Sequence, residues 1–411
     1  MTMYKFCVDP NENSIPLTIG SFKKKIVIVD AMNRIYKQTI GLLKQNEDDE
    51  NLHVESIFRF AVGLIKFGML PIFVFDGKSP KEKSGTITKR SNDKKVYLSK
   101  CEEMEDKSSI EYIKNYKKSY TLSRAKINEC KKVLDYLGIC YVNSPGEADQ
   151  QCAALALHLR TSVAGVISDD LDVLMHGAEK ILKSFSFNNS TTADKKTIEI
   201  DKSKIISHLR AKANMIMTSA DKPVLNNFNH ENFIDFVILT GTTDYNVDPE
   251  KNIKIRGLSN KELFEICVLN NFSLPEITNV LFDKDLINSK EKFIESWLNI
   301  RKVYLHPKVI DPETIEYNLK LVNKIDLVDF LCNEKNINET FVLTQLEKME
   351  PNYQALKNQF CSKAKLIALR TNDVMSSSRF ASPEGSESLR EFSTPSRNSF
   401  GIANTQTGAS L

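Results

Sequence analysis

The stretch VAGVISDDLDVLMHG, residues 163–177, runs an uninterrupted apolar segment into three acids, Asp169, Asp170 and Asp172. A short apolar run with no polar alternation is the pattern of a strand buried on both faces, as in a parallel sheet. Acid at the end of such a strand is unfavourable, since two carboxylates about 4 Å apart repel by roughly 4 kcal/mol at an effective dielectric of 20. Solvent, a helix N-terminus, a basic side chain or a cation has to offset that repulsion.

The arrangement recurs upstream. IVIVDAMNRIY (26–36) ends its apolar run in Asp30, and PIFVF (71–75) is followed by Asp76. Helical patterns separate these runs. Residues 54–68 carry Ile57, Phe60, Ala61, Leu64 and Ile65 at helical spacing and stop at Gly68. Residues 122–138 carry Ile127, Cys130, Val133, Leu134 and Leu137 and stop at Gly138. Buried strands alternating with helices predict an α/β fold with a mostly parallel central sheet flanked by helices. In such sheets ligands bind beyond the carboxyl ends of the strands, which is where these acids fall.

Further acids join them. Glu147 and Asp149 in NSPGEADQQCAAL (143–155) open an apolar helix, and Asp244 follows NHENFIDFVILTG (229–241), read as a helix capped by Asn229 and stopped near Gly241. Singly, each has an ordinary explanation. Asp30 and Asp76 suit helix caps or turns, Ser144-Pro145-Gly146-Glu147 matches an S-x-x-E capping box, and Asp169 suits the cap of the next helix. Caps do not explain why strand after strand ends in acid. Hard cations do: Mg²⁺ takes oxygen ligands and is shared between carboxylates and phosphates, and a pair of such ions serves phosphoryl displacement. Along a strand end Asp170 and Asp172 point the same way and Asp169 points away. On a regular helix Glu147 and Asp149 diverge, so their convergence requires an irregular first turn at Pro145 and Gly146.

Composition narrows the class. The chain has 411 residues, 41% hydrophobic and 27% charged, long enough for one large domain or two ordinary ones. Its 56 basic and 53 acidic residues leave a net charge of +3, so what matters is their segregation, with many lysines between 78 and 126. Eight cysteines (Cys7, Cys101, Cys130, Cys140, Cys152, Cys267, Cys332, Cys361) form no C-x-x-C pair and the six histidines are dispersed, which argues against a disulfide framework and a zinc site. There is no signal-peptide pattern, no apolar run of membrane-spanning length and no phosphate-binding P-loop. A soluble intracellular protein is expected, with no membrane association and no ATP-driven motor.

The remaining segments differ in texture. Residues 77–121 are highly charged and apolar-poor and read as a solvated helical hairpin. Residues 186–230, with the polar run NNSTTADKKT, read as an irregular excursion. From about 250 to 370 the pattern is helical and suggests a second, all-α region, and after Asn372 the Ser-, Gly- and Asn-rich sequence reads as a disordered tail.

Taken in order, IVIVDAMNRIY, PIFVFDGKSPKEKSGTITKR, NSPGEADQQCAAL, ISDDLDVLMHG and ILTGTTDYN resemble the metal-binding motifs of the flap endonuclease and XPG family of structure-specific 5′ nucleases, over roughly residues 23–270. The short interval from Asp76 to Glu147 is similar to that of the compact flap endonucleases and exonucleases. The resemblance implies a PIN-like nuclease core spanning 1–270, with residues 77–121 as a helical arch and 250–270 as a helix-turn-helix-like region gripping DNA. It further implies a C-terminal helical region over 271–371 and a tail over 372–411. It assigns Asp30, Asp76, Glu147 and Asp149 to a first Mg²⁺ and Asp170, Asp172 and Asp244 to a second, with Mn²⁺ able to substitute. Lys83 and Arg90 then reach the scissile phosphate as catalytic and DNA-binding cations, Tyr36 stacks on a nucleobase, and Gly241 contacts DNA. Seven carboxylates against two divalent ions leave net negative charge, so cations from the arch are chemically required.

The resemblance has departures. The family's Met-Gly start is absent, ILTGTTDYN holds one extra residue before Asp244, and only Gly257 marks the K⁺-binding motif in KNIKIRGLSNKELFEI (251–266). No Q-x-x-Φ-x-x-F-F motif occurs in the tail, so no sliding-clamp partnership is expected. The expected activity is Mg²⁺-dependent endonuclease or 5′ exonuclease cleavage of DNA at 5′ flaps or ends in replication and repair, by a monomer in the nucleus, the host's if the chain is viral. Two alternatives remain. One is a catalytically silent DNA-binding or scaffold protein, whose mark would be a replaced motif carboxylate, and none is replaced. The other is a phosphatase using Asp170 as nucleophile, which leaves the basic arch and the other acids unexplained.

Overall fold

The computed structural model describes residues 3–9, 12, 14–43, 50–185, 196–223, 228–241, 245, 255 and 257–360. Its seven strands are β1 (Ser14–Thr18), β2 (Ile26–Asp30), β3 (Leu70–Phe75), β4 (Tyr141–Asn143), β5 (Val163–Ile167), β6 (Lys180–Lys183) and β7 (Lys196–Asp201). They form one sheet in the order β1-β7-β6-β5-β2-β3-β4. Strands β6, β5, β2, β3 and β4 run parallel, while β7 pairs antiparallel with β6 and β1 pairs antiparallel with β7 at one edge. Every residue of β2 and β3 is buried, which is what their unbroken apolar runs require of strands covered on both faces. The α/β expectation is borne out.

The chain passes from β2 to β3 and β4 on one side, then returns to place β5 on the other side of β2. This reversal is a topological switch point, and the crevice beyond the carboxyl ends of β2 and β5 is the natural ligand position. The helices are α1 (Met3–Cys7), α2 (Ala31–Leu42), α3 (Leu52–Lys66), α4 (Ser84–Glu102), α5 (Ile110–Ser119), α6 (Arg124–Tyr136), α7 (Ala148–Leu159), α8 (Asp172–Met175) and α9 (Lys202–Ser219). They continue with α10 (His230–Leu239), α11 (Asn260–Leu269), α12 (Leu274–Asp283), α13 (Lys290–Leu305), α14 (Lys324–Val328) and α15 (Glu339–Gln359). As expected, the charged segment 77–121 folds as two helices, α4 and α5, packed on each other and burying little else.

The irregular excursion expected over 186–230 needs correction where it is described. Residues 196–201 pair as β7 between β1 and β6, and 202–219 form the long helix α9. Asp201 caps that helix by accepting from the N–H groups of Ser203 and Lys204. The polar run itself, 186–195, and the tail after 360, which includes Cys361, lie outside the described residues. The helices beyond 270 share the sheet's core. α15 packs on α3, and one continuous apolar cluster runs from Met3 to Phe360. The described cysteines form no disulfide with one another, and among the described residues no helix is long and apolar enough to cross a membrane.

Candidate active site

Strand register brings the first acids together. Asp30 ends β2 opposite Val74 of β3, so Asp76 lies two residues beyond its neighbour on a strand about 4.8 Å away. On the other side Val29 pairs with Ile167, which sets Ser168 beside Asp30. The Ser168 hydroxyl donates to Asp30 Oδ2 at 3.1 Å and accepts from the Asp170 N–H at 3.2 Å. Asp30 also caps α2, its Oδ1 accepting from the Asn33 N–H at 3.2 Å.

Glu147 and Asp149 arrive from the far side of β3. Backbone bonds from Gly77 N to Gly146 O (2.8 Å) and Lys78 N to Pro145 O (3.3 Å) dock the segment after β3 onto the turn before α7. Gly77 is required for this approach, since a Cβ there would sit 1.9 Å from the Ser144 carbonyl oxygen. Glu147 is the extended N-cap residue of α7, at φ −81 and ψ 151, which removes the divergence expected of a regular helix. The S-x-x-E capping box is a misreading: Ser144 Oγ bonds the Glu147 carbonyl, and the Ala148 N–H is satisfied by Asp76 Oδ1 at 2.7 Å. The turn has moved the helix start onto Glu147 and freed its carboxylate for Lys83, whose Nζ lies 2.5 Å from Oε1.

Asp170 and Asp172 are not on a strand end. β5 stops at Ile167, and Asp170 sits in the turn before α8, where its Oδ1 accepts from the Asp172 N–H at 3.0 Å. Leu171 is the N-cap residue of α8 and offers no side-chain cap, so Asp169 does not take the capping role expected of it. Asp169 does point away, onto Lys37 Nζ at 2.5 Å and the Ser184 N–H at 3.1 Å.

The electrostatics show one cluster. Burial, then the charges of Asp76 and Asp170, push the Asp30 carboxyl up to about 7 against its hydrogen bonds. Burial raises Asp149 well above the carboxylate range, helped by Asp30, Asp170, Asp172 and Asp76. Asp76 is open to solvent at the rim but crowded from beneath, and it too is raised, by desolvation and by Glu147, against the Ala148 N–H and Lys83. Asp30, Asp76, Glu147, Asp149, Asp170 and Asp172 thus meet at one edge of the sheet. Asp244 lies outside the described residues, although Tyr245 beside it donates to Glu147 Oε2 at 2.7 Å. The set suits hard divalent cations: its donors are carboxylate oxygens, and Asp149 Oδ1 is buried without a hydrogen-bond partner among the described residues.

Comparisons with known proteins give the family and the fold. Residues 8–96 match the XPG N-terminal domain and 138–243 the XPG I-region. Flap endonuclease 1 of Xenopus tropicalis is 30% identical over 345 residues, covering 82% of this chain and 81% of the relative. The chain belongs to the flap endonuclease and XPG family. Two solved structures share the fold. The catalytic core of Rad2 in complex with DNA substrate has a TM-score of 0.58 at 23% identity, over 82% of this chain and 96% of that one. Human GEN1 in complex with Holliday junction DNA has 0.58 at 15% identity, over 88% of this chain and 80% of that one. This family member is a DNA-cleaving hydrolase, a structure-specific nuclease.

The other expected residues of the nuclease are placed less centrally. Arg90 is exposed on α4, beyond the carboxylate edge. Tyr36 is half-buried on α2, its ring 6.0 Å from that of Tyr120 and 5.3 Å below Lys94 Nζ, at the base of the helical pair. Gly241 closes α10 with φ 61, a conformation that favours glycine. Four participants escaped sequence reasoning: Ser168, Lys37, Tyr245 and Tyr304. Tyr304 donates to Asp172 Oδ2 at 3.2 Å. Burial first, then neighbouring carboxylates, raise both phenols, Tyr245 and Tyr304, so they remain donors. A cavity of about 300 Å³ opens beside Asp170 and Asp172, walled in part by Tyr4, Lys183 and Phe233.

Proposed function

We propose that the nuclease hydrolyses DNA phosphodiester bonds at 5′ flaps or 5′ ends in replication and repair, using two Mg²⁺ ions for which Mn²⁺ can substitute. The observation that carries this reading is the meeting of six carboxylates at one sheet edge, with a buried oxygen of Asp149 that has no hydrogen-bond partner among the described residues. Asp30, Asp76, Glu147 and Asp149 would hold the first ion, and Asp170 and Asp172, with Asp244, the second. Bound there, the ions supply charge neutralisation at the scissile phosphate and the acidification of water that hydrolysis needs.

The chain's own residues do the rest. Ser168 and the Asn33 N–H fix Asp30, and the Ala148 N–H fixes Asp76, so the ligands are oriented before substrate arrives. Lys83 links the arch to Glu147 and is the cation that a phosphate oxygen would share. Arg90, exposed on α4, would meet the phosphate as the arch closes on a free 5′ strand. Tyr36 would offer its ring to a base, and the backbone at Gly241 would contact duplex DNA. Phosphate contacts by these cations make binding salt-dependent. The enzyme would work as a monomer in the nucleus, without a sliding-clamp motif in its tail.

The test is product mapping on flap, nicked, bubble and four-way DNA with Mg²⁺, using the purified chain and Asp170→Ala. Cleavage confined to substrates with a 5′ end or flap, and abolished by Asp170→Ala, is the expected result. Flap binding without turnover in Mg²⁺ or Mn²⁺ would favour a silent DNA-binding role, and robust cleavage surviving Asp170→Ala would remove the carboxylate assignment.

A further inference from the structure

Two phenols reach the carboxylate edge from outside the sheet. Tyr304, in the last turn of α13, is 2% exposed and donates to Asp172 Oδ2 at 3.2 Å. Its ring meets that of Tyr245 edge-on, with centroids 5.5 Å apart and planes at 87°. Tyr245 in turn donates to Glu147 Oε2 at 2.7 Å. On its other side Tyr304 packs against His176, centroid to centroid 4.8 Å. A path of two rings and two hydrogen bonds therefore joins Glu147 to Asp172 without passing through the strands.

What sets the place of Tyr304 lies one and two turns back on α13. Arg301 Nε and Trp297 Nε1 both donate to Asp235 Oδ1 on α10, at 2.9 and 3.0 Å. Asp235 is 7% exposed, and a buried carboxylate held by one charged and one neutral donor pins the rotation and height of α13 against α10. Burial, with a contribution from the charge of Glu231, raises Asp235 against Arg301 and Trp297. From that anchor the next turn delivers Tyr304 to Asp172.

We propose that Tyr304 is a positioning residue for Asp172, and that through it α13 is part of the carboxylate site rather than an appendage to the nuclease core. The inference rests on the two-ion reading. A carboxylate held at one oxygen is kept from rotating, so its geometry towards an ion is set in advance, and outer hydrogen bonds of this kind are worth about 10- to 100-fold in metal affinity.

The experiment measures Mn²⁺ uptake by the full chain, without DNA, by calorimetry. Tyr304→Phe keeps the ring contacts and removes only the hydroxyl, and it is expected to weaken the lower-affinity Mn²⁺ site by roughly tenfold. Trp297→Phe, which removes one donor from Asp235, is expected to act in the same direction by a smaller factor, and it carries the test should Tyr304→Phe fail to fold. Tyr353→Phe is the control. It removes an equally buried phenol bonded to the Leu137 carbonyl at 3.0 Å, far from the site, and is expected to lower the melting temperature with an unchanged isotherm. A wild-type isotherm for Tyr304→Phe would overturn the positioning role while leaving the nuclease reading intact. Absence of Mn²⁺ uptake by the wild-type chain would overturn both.

Discussion

The carboxylate edge and the helical pair α4–α5 are both charge-rich, and they treat charge in opposite ways. At the edge, Asp30 and Glu147 are each 6% exposed, and like charges are held together by strands, turns and backbone N–H groups that cannot give way. In the helical pair α4 buries only Thr86 and Cys101, α5 only Asn115, and even apolar residues such as Ile110 (86%) and Val96 (54%) face solvent. Repulsion is stored in the first region and dissipated into water in the second. A buried cluster of one sign has no structural use by itself, so it reports function. An exposed basic helix pair with few core contacts is a region of low local stability, suited to adapting to what it meets. Lys83, at the root of α4 and bonded to Glu147, is where the two regimes touch.

Asp149→Asn should have the largest effect. It removes charge at the residue with the most like-charged neighbours while preserving shape. Cleavage should fall by on the order of a thousandfold, about 4 kcal/mol in the barrier. In EDTA the same variant should melt at a higher temperature than wild type, because a buried repulsion is gone. A lower melting temperature would mean that the edge is not under electrostatic load, and the contrast with the arch would collapse. Lys83→Met should come next. It keeps the aliphatic stem and removes the cation, and flap cleavage should drop by about a hundredfold. Flap affinity measured in Ca²⁺ should change little, because the remaining basic residues of the arch still meet the phosphates. Equal losses in affinity and turnover would place Lys83 with the arch rather than with the edge.

How much of this could be read from sequence follows from the same contrast. The strands at 26–29, 71–75 and 163–167 were legible because strands buried on both faces must be continuously apolar. The strands of the antiparallel pairs were not. β1 contains Pro16, tolerated only because it pairs at the rim, and β7 turns Thr197 and Glu199 inward, Glu199 meeting Lys180 at 3.1 Å. The acids stood out because they end apolar runs, whereas their local geometry did not. Which residue caps which helix depends on a backbone docking that Gly77 makes possible, and no local pattern encodes it. Tyr304 was invisible because it lies 132 residues from Asp172 and looks like any core aromatic on an amphipathic helix. Tyr245 carried a weak signal, its adjacency to Asp244.

A smaller effect should appear in the dependence of stability on pH. Asp30 is raised to about 7, and Asp76 and Asp149 are raised as well, so the folded chain binds more protons than the unfolded chain above the ordinary carboxylate range. Their contribution is fully present below about pH 4. It is lost as pH rises through the raised values, because deprotonation then charges groups that are buried or crowded by like charge in the folded chain. In EDTA the melting temperature should therefore fall between about pH 5 and pH 7.5, and millimolar Mg²⁺ should restore it most at the upper end. A flat profile would say that the carboxylates are already neutralised from within the chain.

The smallest effect belongs to the arch. Lys94 lies over the ring of Tyr36, and burial, then the nearby charge of Arg90, holds its pKa below the ordinary lysine range. Replacing it with alanine removes a half-exposed cation from a helix with little core, and stability should change by less than about 0.5 kcal/mol. Its effect should surface only in DNA binding. If the arch neutralises phosphates as separate point charges, the slope of log affinity against log salt for a single-stranded flap should become shallower by about 0.7. If Lys94 instead serves mainly to hold Tyr36, the slope should stay as it is while affinity drops uniformly. The two outcomes separate an arch that acts by charge from one that acts by shape, which is the distinction that sets it apart from the carboxylate edge.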